Sequence, residues 1–306
     1  MNFLIVGPGA MGCLFAARLN KAGYNVTLLD YIPERARKIS EQGIMVEGIS
    51  GEYTVNVPVV TGAIPFQPDF VLICVKSNKT GEASHTIKSM LGPEPVVVTL
   101  QNGVGNLEIL EELFGSERVL GGVTAEGATL LGWGKTKHAG QGDTIMGPKG
   151  DPGSPAEKII SAFNKAGFKT RSEDNVDDLI WGKLIINVGI NALTAITGLK
   201  NGRLPELDST RMIMEEAVSE AVAVAKAKGI QLPFPDPLER VMKVCRDTAG
   251  NIASMLQDVL YEKVTEIDFI NGAIVREGKV FGIPTPVNNT LTSLVQAIRD
   301  TYQERE

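Results

Sequence analysis

The chain is 306 residues long, with 43% hydrophobic and 22% charged residues. These are ordinary globular values and exclude a disordered or fibrous chain. A net charge of −6, from 30 basic and 36 acidic residues with no block of one sign, argues against a binder of nucleic-acid phosphates. At about 150 residues per domain the length predicts two domains, each able to bury its own core.

No run of about 18 apolar residues is present, so no transmembrane helix is expected. The opening Met1–Val6 lacks a basic start and turns straight into glycines, unlike a secretory signal. Cys13, Cys74 and Cys245 lie far apart without a Cys-x-x-Cys, so neither a zinc site nor a disulfide framework is expected. A reducing cytoplasm is the expected compartment, and no bound metal is expected. With only His85 and His138 available, proton chemistry falls to carboxylates or lysines.

Short β-rich runs recur at Phe3–Val6, Val26–Leu29, Phe70–Val75 and Val96–Leu100. Helical stretches such as Ala10–Ala22 and Glu34–Gln42 separate the first of them. This alternation predicts a parallel sheet with helices on both faces. Glu126–Leu131, Lys135–Ala139 and Thr144–Met146 read as strands that extend the sheet as an antiparallel meander. Gly147–Pro155 is a dense turn cluster, and 23 of the 33 glycines fall at or before Gly153. A helix over Pro155–Ala166 and a last strand over Phe168–Arg171 follow, and from about Val176 the pattern is helical.

Ser209–Lys228 carries apolar residues at the three-to-four spacing of an amphipathic helix, with Gly229 as its stop. Leu232–Pro237 is a loop, and Ile252–Tyr261, Ile267–Phe281 and Val287–Tyr302 are further helices. The expected domains are therefore residues 1–174 and 175–306. Trp181 and Cys245 are expected in the core, and His85 and His138 at the surface.

Gly7-Pro-Gly-Ala-Met-Gly12 lies between the first strand and the first helix, and Asp30 ends the next strand 18 residues past Gly12. Glycine permits the tight turn at 7, close approach of a pyrophosphate at 9 and close helix packing at 12. The helix N-terminus then offers free N–H groups to the anion. In its strand–helix context this is a dinucleotide-binding fingerprint. A carboxylate at Asp30 accepts ribose hydroxyls and repels a 2′-phosphate, which favours NAD(H). Arg35 and Arg37 follow closely and leave a 2′-phosphate open. Asn102, in the loop Gln101-Asn-Gly-Val-Gly105, and Lys76 both stand at C-terminal strand ends, where ligands of such sheets bind. Each also reads as an ordinary turn or solvated residue.

In the otherwise apolar stretch Leu179–Ile196, Lys183, Asn187 and Asn191 recur every four residues. On a helix they share one face as a ladder roughly 12 Å long. A partly buried lysine beside two amides needs partners, either other protein groups or a polar ligand. Asn201 lies in the turn just past this stretch, and Asn251, Ser254 and Glu266 occur later. Taken alone these four are turn, cap and exposed-acid residues.

Taken together, the fingerprint, Lys76, Gln101-Asn-Gly103, the Lys183/Asn187/Asn191 ladder, Asn201, Asn251-x-x-Ser254 and Thr265-Glu-Ile-Asp268 resemble ketopantoate reductase, the 2-dehydropantoate 2-reductase family, over about residues 2–302. The resemblance implies an α/β Rossmann-type doubly wound domain followed by an all-α helical domain that binds substrate; the apolar faces of Ser209–Lys228 and the C-terminal helices add the expectation of dimerisation through it. It implies reduction of ketopantoate to pantoate with NADPH, on the way to pantothenate. Lys183 would be the general acid, with Glu266 assisting it or touching the cofactor. Asn102, Asn187, Asn191, Asn201, Asn251 and Ser254 would bind substrate together with Lys183. Gly7, Pro8, Gly9, Ala10, Met11, Gly12, Asp30, Lys76, Asn102 and Gly127 would line the cofactor. Three positions depart from the family pattern. Asp30-Tyr31 replaces a basic residue, Lys79 replaces a glutamine, and Ala125-Glu-Gly127 replaces a histidine-bearing loop.

The chemistry agrees with the resemblance, because an ammonium stabilises and protonates the oxygen that becomes negative when a ketone takes up hydride. A reductase of another 2-oxo acid and a non-catalytic NAD(P) sensor are the competing readings. A sensor has no use for a proton donor such as Lys183. A small 2-oxo acid, a nicotinamide dinucleotide and a second copy of the chain are the expected partners.

Overall fold

The structure is a computed structural model that describes residues 1–92, 95–148 and 156–304. The turn cluster expected at 147–155 falls outside it from residue 149 onward, as does Pro155, the expected first residue of the helix that follows. The chain divides into two compact units, residues 1–101 with 106–176, and residues 102–105 with 177–306.

The strands of unit 1 are β1 (Asn2–Val6), β2 (Asn25–Leu29), β3 (Ile44–Gly48), β4 (Tyr53–Val55), β5 (Val59–Val60), β6 (Phe70–Ile73), β7 (Val96–Thr99), β8 (Val119–Thr124), β9 (Gly127–Gly132), β10 (Lys135–Gly140), β11 (Thr144–Gly147) and β12 (Thr170–Ser172). Its helices are α1 (Ala10–Lys21), α2 (Pro33–Gln42), α3 (Thr80–Lys88), α4 (Asn106–Phe114) and α5 (Ala156–Lys165). The large sheet has the order β12-β11-β8-β7-β6-β1-β2-β5. From β5 to β8 it is parallel, and β11 joins it antiparallel. Apart from Asn2 its central strands β1, β6 and β7 are buried throughout and almost wholly apolar, as strands covered on both faces must be. The order reverses between β1 and β6, the switch point at which doubly wound sheets bind ligands.

The expected meander is corrected in one respect. Of its three strands only β11 extends the large sheet, while β9 and β10 form a second sheet with β3 and β4, in the order β4-β3-β10-β9. The reason lies in α1, whose residues Gly12 to Ala17 are all buried. A helix apolar on every side needs cover on every side. It packs on β1 and β2 of the large sheet and on all four strands of the small one. The alternating burial of β10 marks a strand with one face on that helix.

Unit 2 is helical: α6 (Asp177–Thr197), α7 (Asp208–Lys228), α8 (Pro237–Asp247), α9 (Ser254–Leu260), α10 (Asn271–Phe281) and α11 (Pro286–Asp300). Gly229 ends α7 in a left-handed cap, as its position predicts. The helix α8 goes beyond the sequence reading, although its start is marked: the Asp236 side chain accepts from Glu239 N–H at 2.9 Å, and Pro237 opens the first turn. The expected helix over Ile267–Phe281 is a 3-10 turn at Ile267–Phe269 followed by α10. By length and composition α6 could cross a membrane, but 67% of its most apolar 18-residue stretch is buried, as in a core helix. Trp181 and Cys245 are in the core.

Polar side chains tie α6, α7, α10 and α11 together. Asn271 Nδ2 donates to Val188 O (3.3 Å) and to Asn288 Oδ1 (3.0 Å). Asn288 Nδ2 donates to Ala217 O (3.0 Å) and Glu220 Oε2 (2.7 Å), and the Asn288 backbone N–H binds Glu220 as well. Replacing Asn288 by leucine keeps the branched shape but strands the partners of its side chain. Urea denaturation of Asn288→Leu is expected to show a loss of about 3 kcal/mol.

Candidate functional site

In unit 1 the register pairs Val6 with Leu29 and with Ile73, so the turn at Gly7, the end of β2 and the end of β6 lie side by side. Gly7 N–H donates to Leu29 O at 2.9 Å, and Cys74 N–H to Val6 O at 2.9 Å. Gly9 caps α1 in an extended conformation without a side-chain hydrogen bond. A Cβ on Gly12 would stand 2.1 Å from Gly7 O, so the helix closes on the strand only with glycine there. A Cβ on Gly9 would meet only Cys74 O, at 3.8 Å. Among the described residues nothing demands glycine at 9, whereas a pyrophosphate lying on the helix N-terminus would. The turn Gly7–Gly12, with Pro8, Ala10 and Met11, thus fits a dinucleotide phosphate. Cys13 and Cys74 lie under it, and burial pushes both thiols up to about 12, which leaves them without nucleophilic character.

The loops after β6 and β7 are joined by Gln101 and by three polar side chains absent from the sequence reading, Ser77, Thr80 and Asn106. Gln101 Nε2 donates to Val75 O (2.7 Å) and Thr80 Oγ1 (2.9 Å). The Thr80 hydroxyl donates to Asn106 Oδ1 (2.8 Å), and Asn106 Nδ2 to Ser77 Oγ (3.0 Å). These bonds hold the segment that carries Lys76, an exposed residue on the rim. Gly127 opens β9.

Two ionisable side chains differ from their simplest readings. Asp30 is not a solvated strand end; it is buried and clamped by Arg35, with Nε to Oδ2 and Nη2 to Oδ1 both at 2.6 Å. His138 is not at the surface; it is 1% exposed, with Nε2 2.6 Å from Glu126 Oε2. The second sheet explains this. Thr136 and His138 share the inward face of β10, where the Thr136 hydroxyl reaches Ala10 O at 3.1 Å, and Glu126 supplies the histidine's partner. His85 is exposed, as expected.

In unit 2, α6 runs unbroken through Lys183, Asn187 and Asn191, which therefore share one face. Lys183 and Asn187 are half-buried, and Asn191 is buried. Burial pushes the Lys183 ammonium down to about 8, and the charge of Glu266 pulls it back up. Glu266 is half-buried and precedes the 3-10 turn, not on a helix as its simplest reading has it. It accepts from Asn102 Nδ2 at 3.4 Å. Asn102 reaches it because Gly103, at φ +89°, passes so close to Phe269 that a Cβ would stand 2.3 Å from its carbonyl oxygen. Val104 N–H then donates to that oxygen at 2.9 Å.

Asn201 and Asn251 also meet. Asn201 N–H donates to Asn251 O (3.2 Å), and Asn201 Nδ2 to Thr248 Oγ1 (2.9 Å). The Thr248 hydroxyl is spent on Val244 O (2.6 Å), so it accepts from Asn201 and orients that amide. Only the folded chain reveals this role for Thr248. Asn251 and Ser254 are exposed, Ser254 as the first residue of α9, which packs on α6.

Two expectations follow. Gly12→Ala is expected to lose about 2 kcal/mol or more in urea denaturation, while Gly9→Ala keeps its stability but weakens NADH binding in a fluorescence titration. Lys183 is expected to titrate near pH 8 in NMR of isotope-labelled lysine, assigned by loss of the signal in a Lys183 variant. Glu266→Gln is expected to lower that value, because it removes the charge that favours the ammonium.

The family model described as ketopantoate reductase PanE/ApbA matches residues 3–151, and its C-terminal counterpart matches residues 175–299. The 2-dehydropantoate 2-reductase of Pyrococcus horikoshii is 35% identical over 299 residues, covering 97% of each chain. That of Vibrio cholerae is 31% identical, covering 99% of this chain and all of its own. Among solved structures, a ketopantoate reductase of Ralstonia eutropha superposes with a TM-score of 0.91 at 34% identity, covering 99% of this chain and 100% of its own. A D-mandelate dehydrogenase with NADH and anilino(oxo)acetate superposes with a TM-score of 0.92 at 29% identity, covering 98% and 99%. With both family models matched along a doubly wound unit and a helical unit, the chain belongs to the ketopantoate reductase family.

Proposed function

We propose that this protein reduces ketopantoate to pantoate, on the route to pantothenate, with Lys183 as the general acid. The observation that carries the reading is the half-buried lysine of α6, held near 8 by burial and by Glu266, on one helix face with Asn187 and Asn191. A bound nicotinamide dinucleotide supplies the hydride. The turn Gly7–Gly12 holds its pyrophosphate, the Asp30–Arg35 pair stands toward its adenosine ribose, and Lys76, Asn102 and Gly127 line its remaining length.

An ammonium that releases its proton near pH 8 is mostly charged at pH 7, yet is a better acid than an ordinary lysine. It stabilises the developing alkoxide and then protonates it. Glu266 keeps the lysine charged before the reaction. Asn102, Asn187, Asn191, Asn201, Asn251 and Ser254 hold the hydroxyl and carboxylate oxygens without competing for the proton. A purely sensory role leaves the cost of a buried ammonium unexplained. The similarity to D-mandelate dehydrogenase supports one second reading, reduction of an aryl 2-oxo acid. The exposed apolar residues Leu260, Tyr261 and Val264 support a homodimer through the helical unit.

Oxidation of NADH and NADPH at 340 nm is to be followed with ketopantoate and with phenylglyoxylate. Turnover of ketopantoate is expected, and turnover of phenylglyoxylate alone would replace it by the second reading. Lys183→Ala is expected to lower kcat about a hundredfold or more while NADH binding stays within about threefold. Because the acid must be protonated, the rate is expected to fall as pH rises through about 8, and Glu266→Gln to move that limb to lower pH.

A further inference from the structure

Asp30 stands where an acidic residue selects a bare ribose, but its side chain is entirely covered. Arg35 occupies both carboxylate oxygens, and Ile32 N–H adds a third bond to Oδ1 at 3.1 Å. A carboxylate offers about four acceptor positions, so little of Asp30 is left for a ligand. The pair lies on the rim of the fingerprint turn, because Gly7 N–H is bonded to Leu29 O, the residue before Asp30. Arg35 remains the more open partner, with a side chain 17% exposed. The guanidinium is flanked by the ring of Tyr31, 5.5 Å away and itself 73% exposed. Two of its five N–H groups serve Asp30.

We infer that Arg35 is a coenzyme-specificity residue: locked on Asp30, it cancels the carboxylate's repulsion of a ribose 2′-phosphate and offers that phosphate its remaining N–H donors. A bare aspartate rejects NADPH. An aspartate under a bidentate guanidinium is a neutral dipole with its positive end outward, and it admits NADPH alongside NADH. For NADH the ribose hydroxyls gain Asp30 only as the clamp opens, so the preference for NADH that the aspartate would create is blunted. The inference rests on the proposal that Gly7–Gly12 holds a nicotinamide dinucleotide. It does not depend on which 2-oxo acid is reduced.

The test is direct binding without substrate, with Kd for NADH and NADPH measured by fluorescence titration of the full chain. The parent is expected to bind both with values within about tenfold of each other. Arg35→Gln uncovers Asp30 and is expected to weaken NADPH at least about tenfold while NADH stays within about threefold. Asp30→Asn frees the guanidinium and is expected to act in the opposite sense, tightening NADPH relative to NADH by about tenfold. This second variant also reads the effect should Arg35→Gln fail to fold, since the charge it leaves unpaired is the part-exposed guanidinium and not the fully covered carboxylate.

Equal weakening of both coenzymes by Arg35→Gln, or an unchanged ratio in Asp30→Asn, overturns the inference and leaves the dinucleotide site standing. Failure of the parent to bind either coenzyme overturns the dinucleotide reading and the inference with it.

Discussion

Unit 1 depends on the burial of α1 from all sides. Its stretch Gly12–Ala17 is apolar around the whole helix, so it must be covered by both the large parallel sheet and the small mixed one. That requirement explains why β9 and β10 leave the large sheet to pair with each other and with β3. It also explains why Gly12 must close on the Gly7 carbonyl, and why Thr136 and His138 point inward. The same packing leaves the first turn of α1 open at Gly9, so the element that anchors the core also presents the anion-binding end of a helix.

Unit 2 meets a different constraint. Its central helix is apolar enough to be a core helix and still carries a lysine and two asparagines along one face. Removing an ammonium from water is costly, and the fold meets part of that cost with Glu266, brought from the loop ahead of the 3-10 turn. The lysine that results is charged at neutral pH and releases its proton near pH 8, which is what a proton donor to a developing alkoxide needs. Elsewhere in the unit Thr248 orients the Asn201 amide, and Gly103 lets Asn102 reach Glu266.

Two buried ionisable side chains of unit 1 are met by partners from a neighbouring segment. Asp30 is met by Arg35 and His138 by Glu126. Neither pair is a spacing motif. Arg35 lies in the first turn of α2, a short loop beyond Asp30, and Glu126 reaches His138 beside a second sheet that the local pattern does not announce. Asp30 read by itself is a selector of a bare ribose, whereas Asp30 under a guanidinium is a neutral pair.

The fingerprint was legible because Gly7, Gly9 and Gly12 answer local demands, a turn and two close approaches, each within a dozen residues of chain. The Lys183 ladder was legible because helical period alone puts every fourth residue on one face. So was the change from alternating strands and helices to helices alone, which burial patterns write into the order of apolar residues. The start of α8 was marked by Asp236-Pro237, a capping signal inside a proline-rich stretch that otherwise reads as loop. The second sheet, the Asp30–Arg35 clamp, the buried His138 and the convergence of Asn102, Glu266 and Lys183 were decided only in three dimensions. Each joins segments whose local preferences are satisfied in several ways, and the choice is made by which surfaces and charges must leave water together.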